Sequence, residues 1–221
     1  MTFSELAPVS ADPGLWRQIL REPSVRSAKP GPALFLDRDG VVVEEVNYLH
    51  RIEDISLIPD AAAVIQHCNR SGIPVVLVTN QSGIGRGYYD WAQFGIVQDE
   101  ICRRLAETGA RFDMVLACAY HEAANPPFNV AEHDWRKPRP GMLRAAGQAL
   151  GLDLNRSWIV GDSKSDMAAG RAAGLAGGVH VLTGHGKRDR QAVLALADTG
   201  FEIIPKPGIG SAFDILARLG A

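Results

Sequence analysis

The chain has 221 residues, 46% of them hydrophobic and 22% charged, the make-up of a globular protein with one sizeable core. A formal charge of -2 with no run of lysine or arginine leaves no electrostatic footprint for nucleic acid or an anionic membrane, so the expected partner is a small molecule. The three cysteines, Cys68, Cys102 and Cys118, are widely spaced and form no CxxC pair; a disulfide framework is not expected, and a reducing, cytoplasmic setting is.

The opening stretch "MTFSELAPVSADPG" has no basic segment followed by an apolar one, and nowhere do 18 apolar residues run together, so neither export nor membrane insertion is expected. Residues 1–32 are rich in Pro, Ser and Ala and read as an arm with a short helix around Leu15–Leu20, ahead of a domain over 33–221. From there the strand patterns "ALFL", "IPVVLVT", "FDMVLAC", "SWIVG" and "GGVHVL" alternate with stretches of helical period, which implies an α/β domain with a parallel sheet. The first helix lies in "PDAAAVIQHCNRSG", with Pro59 suited to its first turn and Gly72 just past its end. Further helices are expected near 91–108, 140–150, 164–173, 187–198 and 210–219. Residues 121–139, "HEAANPPFNVAEHDWRKPR", lack a clear period, and loops of that length in compact domains are usually functional.

Ligands of open α/β sheets sit beyond the carboxyl ends of the strands, so the residues that end each strand form the candidate site. They are Asp37-Arg38-Asp39-Gly40, Thr79-Asn80-Gln81-Ser82-Gly83, Arg136-Lys137-Pro138 from the long loop, and Gly161-Asp162 with Asp166 following. Asp37 and Asp39, two apart on an extended segment, point to one side, and Gly40 lets the chain turn away. Asp162 adds a third carboxylate. Such a cluster repels itself unless a hard cation joins it, and Mg2+ prefers carboxylate, phosphate and water oxygens. With Lys137 for phosphate charge and hydroxyl and N–H donors from Thr79 to Ser82, the set suits phosphoryl transfer. "DRDGVV" is no EF-hand loop, since Val41 replaces an oxygen ligand, and "GIGRG" lacks the spacing of a dinucleotide fingerprint. The glycines around Arg86 favour its approach to a substrate phosphate.

In this order "FLDRDGVV", "TNQSGIGRG", "RKPRPGML" and "WIVGDSKSDMAAGRAAG" resemble the four motifs of the haloacid dehalogenase (HAD) superfamily of aspartate-nucleophile phosphatases, over about residues 33–205. "DRDGVV" followed by "NYLH" and "TNQSGIGRG" is similar to the branch that holds heptose-bisphosphate and histidinol-phosphate phosphatases. The resemblance implies a three-layer Rossmann-like HAD fold with no large cap domain, because the roughly 40 residues between Asp39 and Thr79 leave room only for a flap and one helix. It implies Asp37 as nucleophile and Asp39 as general acid and base. It also implies Thr79 and Lys137 on the phosphoryl oxygens, and Mg2+ held by Asp37, Asp162 and the main-chain carbonyl of Asp39. Asp166 falls where the superfamily often has a second acid, and equally where it supports lysines or the helix start; His50, in the flap, is either a surface residue or a substrate contact.

That branch commonly carries a structural zinc after the third strand, in a C-x-H then C-x-C arrangement. Aligning Cys118 with its first ligand puts Tyr120, His133 and Trp135 at the others, which breaks the site and leaves apolar packing by the two rings to hold the loop. A rearranged set of Cys118, His121 and His133 is the alternative, but zinc is not expected. The reading is a Mg2+-dependent phosphomonoesterase for a small phosphorylated metabolite, a sugar phosphate such as D-glycero-D-manno-heptose 1,7-bisphosphate. Histidinol phosphate, a nucleic-acid 3′-phosphate, or a silent phospho-ligand-binding role are the competitors; retention of Asp37 and Asp39 argues against the last.

Overall fold

The computed structural model describes residues 11–21 and 30–220. The rest of the expected arm lies outside them. In the central strand β2 (Leu34–Leu36), Leu34 and Leu36 enter one apolar cluster and Phe35 the other, all fully buried. A strand apolar on both faces belongs inside a parallel sheet covered by helices, and that is where it sits. On one side it pairs in parallel with β3 (Val75–Asn80), followed by β4 (Met114–Cys118). On the other come β5 (Trp158–Gly161), β6 (Gly177–Val181) and β7 (Glu202–Lys206), all parallel.

Helices α1 (Ala61–Arg70), α3 (Trp91–Glu107) and α7 (Phe213–Leu216) pack on the face of Leu34 and Leu36. Helices α4 (Gly141–Leu150), α5 (Lys164–Ala173) and α6 (Gly186–Leu194) pack on the face of Phe35, which completes three layers; α2 (Ser82–Gly85) is a single turn after β3. Asp90 and Ser163 cap α3 and α5 with reciprocal bonds to Gln93 and Asp166. Between Asp39 and α1 the chain makes only a flap, closed by a bridge from Val43 to Leu57 and a short 3-10 turn at Ile52–Asp54, so no cap domain is inserted.

The helix expected around Leu15–Leu20 is instead the strand β1 (Leu15–Ile19), antiparallel to β4 at the sheet edge. Its period is two: Trp16 and Gln18 are buried and their neighbours only partly so. β7 was not expected, because adjacent Ile203 and Ile204 blur the alternation and Pro205 interrupts it; an edge strand tolerates that proline. Pro59 lies before α1, whose cap is Asp60, and the helix expected over 187–198 ends at Leu194. The stretch 210–219 is helical but divided, with 3-10 turns on either side of α7.

Candidate active site

The strand order reverses about β2, so the carboxyl ends of β2 and β5 diverge and leave a crevice between the loops that follow them. A cavity of about 610 Å3 opens there, lined by Asp37, Asp39, Thr79, Asn80, Arg136, Lys137 and Asp162 among others. Seven of the expected site residues therefore meet in one place although 125 positions separate Asp37 from Asp162.

Lys137 is the hub. Its ammonium, 1% exposed, lies 2.9 Å from Asp37 Oδ1 and 2.6 Å from Asp166 Oδ1, and it donates to the carbonyl of Val78 at 2.8 Å. Burial works against this charge, but Asp166 and Asp37 more than reverse that and hold the lysine protonated. Asn80 lines the cavity, yet its amide is spent on the main chain of Lys137: Nδ2 donates to the carbonyl at 2.9 Å and Oδ1 accepts from the N–H at 3.1 Å. The long loop that follows the neighbouring β4 is thereby clamped to the end of β3.

One ammonium does not balance the carboxylates around it. Oxygens of Asp37, Asp162 and Asp166 all lie within 4.8 Å of one another, the sole such grouping of potential metal ligands among the described residues. Burial and then the charge of Asp166 push Asp162 up to about 7, while burial, with Asp166 and Asp162 adding to it, raises Asp37 well above the usual carboxylate range. Asp162 Oδ2 accepts from the N–H of His185 at 2.7 Å, and the chain leaves room for it: Cβ atoms at Gly40 (φ +79°) and Gly184 (φ +51°) would stand 2.5 and 2.1 Å from that oxygen. The residues fit a hard cation. Excess negative charge that costs this much desolvation is what Mg2+ offsets through oxygen ligands.

Asp39 is held differently. Arg38 Nε lies 3.1 and 3.2 Å from its two oxygens and Nη2 3.1 Å from Oδ2, so its side chain turns from the other carboxylates. Asp39 thus has only its main chain to offer beside Asp37 and Asp162. Asp166, fully buried, closes the cap of α5 with Ser163 and pairs with Lys137 at once, so both supporting roles open to it in the sequence are filled.

Gln81, Ser82 and Arg86 do not line the cavity. Gln81, 2% exposed, stands behind it and donates to Thr79 Oγ1 at 2.7 Å, which leaves the threonine hydroxyl proton free to point inward. Ser82 begins α2, and Arg86 donates to Tyr48 Oη at 3.1 Å and lies 3.2 Å from His121 Nε2. His50 is tied to the carbonyl of Tyr48 at 2.7 Å and stacks on Tyr89. Conversely, Glu45, Ser163, Lys164, His185 and Arg188 line the cavity without having been singled out; the strand-end rule, applied to the segment after β6, finds His185.

Cys118, His121 and His133 are not brought together. Cys118 is fully buried at the end of β4, where burial pushes its thiol up to about 12. His121 faces Arg86, and the ring of His133 stacks on Tyr120 with centroids 4.1 Å apart. Tyr120 is 7% exposed, packs against Phe128 and donates to Asp12 Oδ1 at 2.6 Å; Trp135 is half-buried against the same core. Arg136 reaches back to the carbonyl of Tyr120 at 2.9 Å. Rings and main-chain bonds hold the start of this loop to its end.

A family model described as HAD-hydrolase-like matches residues 134–205. The chain is 53% identical over 147 residues to D-glycero-beta-D-manno-heptose-1,7-bisphosphate 7-phosphatase of Mesorhizobium japonicum, covering 66% of this chain and 68% of that one. To the D-glycero-D-manno-heptose-1,7-bisphosphate 7-phosphatase of Thermosynechococcus vestitus it is 41% identical, over 72% of this chain and 83% of the relative. The crystal structure of a HAD-like protein from Mesorhizobium loti superposes with a TM-score of 0.84 at 42% identity, over 96% of each chain. D,D-heptose 1,7-bisphosphate phosphatase from B. bronchiseptica, complexed with magnesium and phosphate, superposes with a TM-score of 0.71 at 29% identity, over 85% of this chain and 98% of the other.

Proposed function

Since the chain belongs to the HAD-like phosphatases whose relatives include the heptose-1,7-bisphosphate 7-phosphatases, we propose that its substrate is a heptose bisphosphate and that it removes the 7-phosphate through an aspartyl-phosphate on Asp37. The observation that carries this reading is the pairing of Asp37 with the buried ammonium of Lys137, 2.9 Å away, in a cavity that Asp39 also lines.

Asp37 and Asp162, with the main-chain carbonyl of Asp39, would hold Mg2+, which when bound offsets the charge of the carboxylates and of the phosphate dianion. In the first step a carboxylate oxygen of Asp37 bonds to phosphorus as the bond from phosphorus to the sugar oxygen breaks, and Asp39, protonated, gives its proton to that oxygen. In the second, Asp39, now a carboxylate, takes a proton from water; the water oxygen bonds to phosphorus, and Asp37 leaves as a free carboxylate beside inorganic phosphate. Lys137 and the free hydroxyl proton of Thr79 meet the phosphoryl oxygens, where charge accumulates in both steps. Three free, buried thiols suit a cytoplasmic setting.

Comparing kcat/KM for D-glycero-D-manno-heptose 1,7-bisphosphate, histidinol phosphate and a nucleic-acid 3′-phosphate, with Mg2+ present, tests the assignment. The heptose ester is expected to lead by at least tenfold, a difference of roughly 1.4 kcal/mol in the barrier. A lead for histidinol phosphate would replace the substrate; no turnover of any ester would restore the silent-relative reading.

A further inference from the structure

We propose that Arg38 is a positioning residue for proton transfer: with Gln81 it fixes the rotamer of the Asp39 carboxyl group, which as the acid protonates the leaving alcohol. The proposal rests on the reading of Asp39 as the general acid and base.

Arg38 is among the largest fully buried side chains of the molecule, 1% exposed, and it makes no contact with the cavity. A guanidinium is costly to desolvate, so a fold that buries one uses it to hold something. Here Nε and Nη2 present a fork to Asp39, with three N···O distances of 3.1–3.2 Å, and Nη2 also donates to Gln81 Oε1 at 3.1 Å. Gln81 closes the ring: its Nε2 donates to Asp39 Oδ2 at 3.2 Å and to Thr79 Oγ1 at 2.7 Å, while its Oε1 also accepts from the Tyr89 hydroxyl. Asp39, which moves the proton, and Thr79, which meets the phosphate, are thus registered to each other through one amide.

The guanidinium is fixed in turn. Its carbon lies 5.3 Å from the centroid of Phe94, a contact that favours a cation over the ring face. Phe94 is fully buried and meets Trp16 of β1 edge-on at 5.1 Å and Trp91 at 5.3 Å. Arg38 Nη1 is buried with no hydrogen-bond partner, a loss the fold accepts while Nε and Nη2 keep their grip on Asp39. Nothing in packing the core requires a guanidinium there. Its bonds point to the one carboxylate that must sit within reach of a leaving oxygen.

The test measures first-turnover release of alcohol from 4-nitrophenyl phosphate and from an alkyl phosphate, in the wild type, Arg38→Lys, Gln81→Met and Asp39→Asn, with thermal unfolding as a check on folding. Nitrophenolate leaves without a proton and an alkoxide does not, so a misplaced acid slows only the alkyl ester. Arg38→Lys keeps the charge but not the fork, and is expected to slow alkyl release about 100-fold, as misplacement by an ångström can. Aryl release is expected to change less than about threefold in Arg38→Lys, Gln81→Met to slow both esters but the alkyl one more, since it also unties Thr79, and Arg38→Lys to add nothing in an Asp39→Asn background. Equal losses on both esters in Arg38→Lys, beside a selective loss in Asp39→Asn, would overturn the role of Arg38 and leave Asp39 as the acid. Equal losses in Asp39→Asn itself would overturn both readings.

Discussion

Asp39 faces a guanidinium from the preceding residue and an amide from Gln81, whereas Asp37 and Asp166 share the single ammonium of Lys137, with the carboxylate of Asp162 crowded beside them. On one wall of the cavity the protein satisfies its own carboxylate with fixed donors. On the other it concentrates charge that its own groups do not cancel, and two carboxyls there are raised in pKa as a result. The contrast follows the chemistry asked of each side: a proton carrier must be aimed, while a metal and phosphate site must be left short of positive charge until its ligands arrive.

Breaking the crowded side has the largest effects. Asp37→Asn is expected to abolish turnover with the fold intact, since an amide does not attack phosphorus; steady-state assay beside circular dichroism checks both halves. Asp162→Asn is expected to remove most Mg2+-dependent activity and yet raise the melting temperature of the metal-free protein at pH 8, because it deletes a charge that repels its neighbours. A lower melting temperature would show that the site is not overloaded with negative charge. Chelation with EDTA is expected to silence the wild type, and Mg2+ to restore it.

Intermediate in size is the loop that delivers Lys137. Tyr120→Ala removes a ring buried against Phe128 and stacked on His133, and is expected to cost about 3 to 5 kcal/mol of stability. Denaturant titration measures that loss, and a raised KM for phosphate ester would show that it reaches the phosphate side.

The smallest effect is the pH dependence of stability. A carboxyl whose pKa rises on folding, as that of Asp162 does from 3.8 to about 7, binds more protons folded than unfolded between those values. Its contribution therefore falls as pH climbs from about 4 to about 7. Mg2+ favours the ionised form and is expected to raise the melting temperature more at pH 8 than at pH 5; an increment independent of pH would contradict the crowding.

The crowded side was the legible one. Asp37, Lys137 and Asp162 stand at strand ends or in a loop of unusual length, and a run of apolar residues announces each strand before the polar residue that ends it. The aimed side was not. Arg38 alternates with two aspartates in a way that gives no hint of burial, and Gln81 sits among loop donors although it faces backward; only the packing of α3, through Phe94, decides where both point. β1 was missed for a related reason: five residues between proline-rich stretches show their period only once β4 supplies a partner.

Acid quenching of the Asp39→Asn variant during turnover of 4-nitrophenyl phosphate with Mg2+, followed by peptide mass spectrometry, tests the central claim most directly. Attack on this activated ester needs no proton from Asp39, while hydrolysis of the intermediate needs its base, so a phosphoryl group is expected to accumulate on the peptide that carries Asp37 and to be absent when Asp37 is also replaced by asparagine. Nitrophenol release without any phosphoryl group on Asp37 would contradict the account.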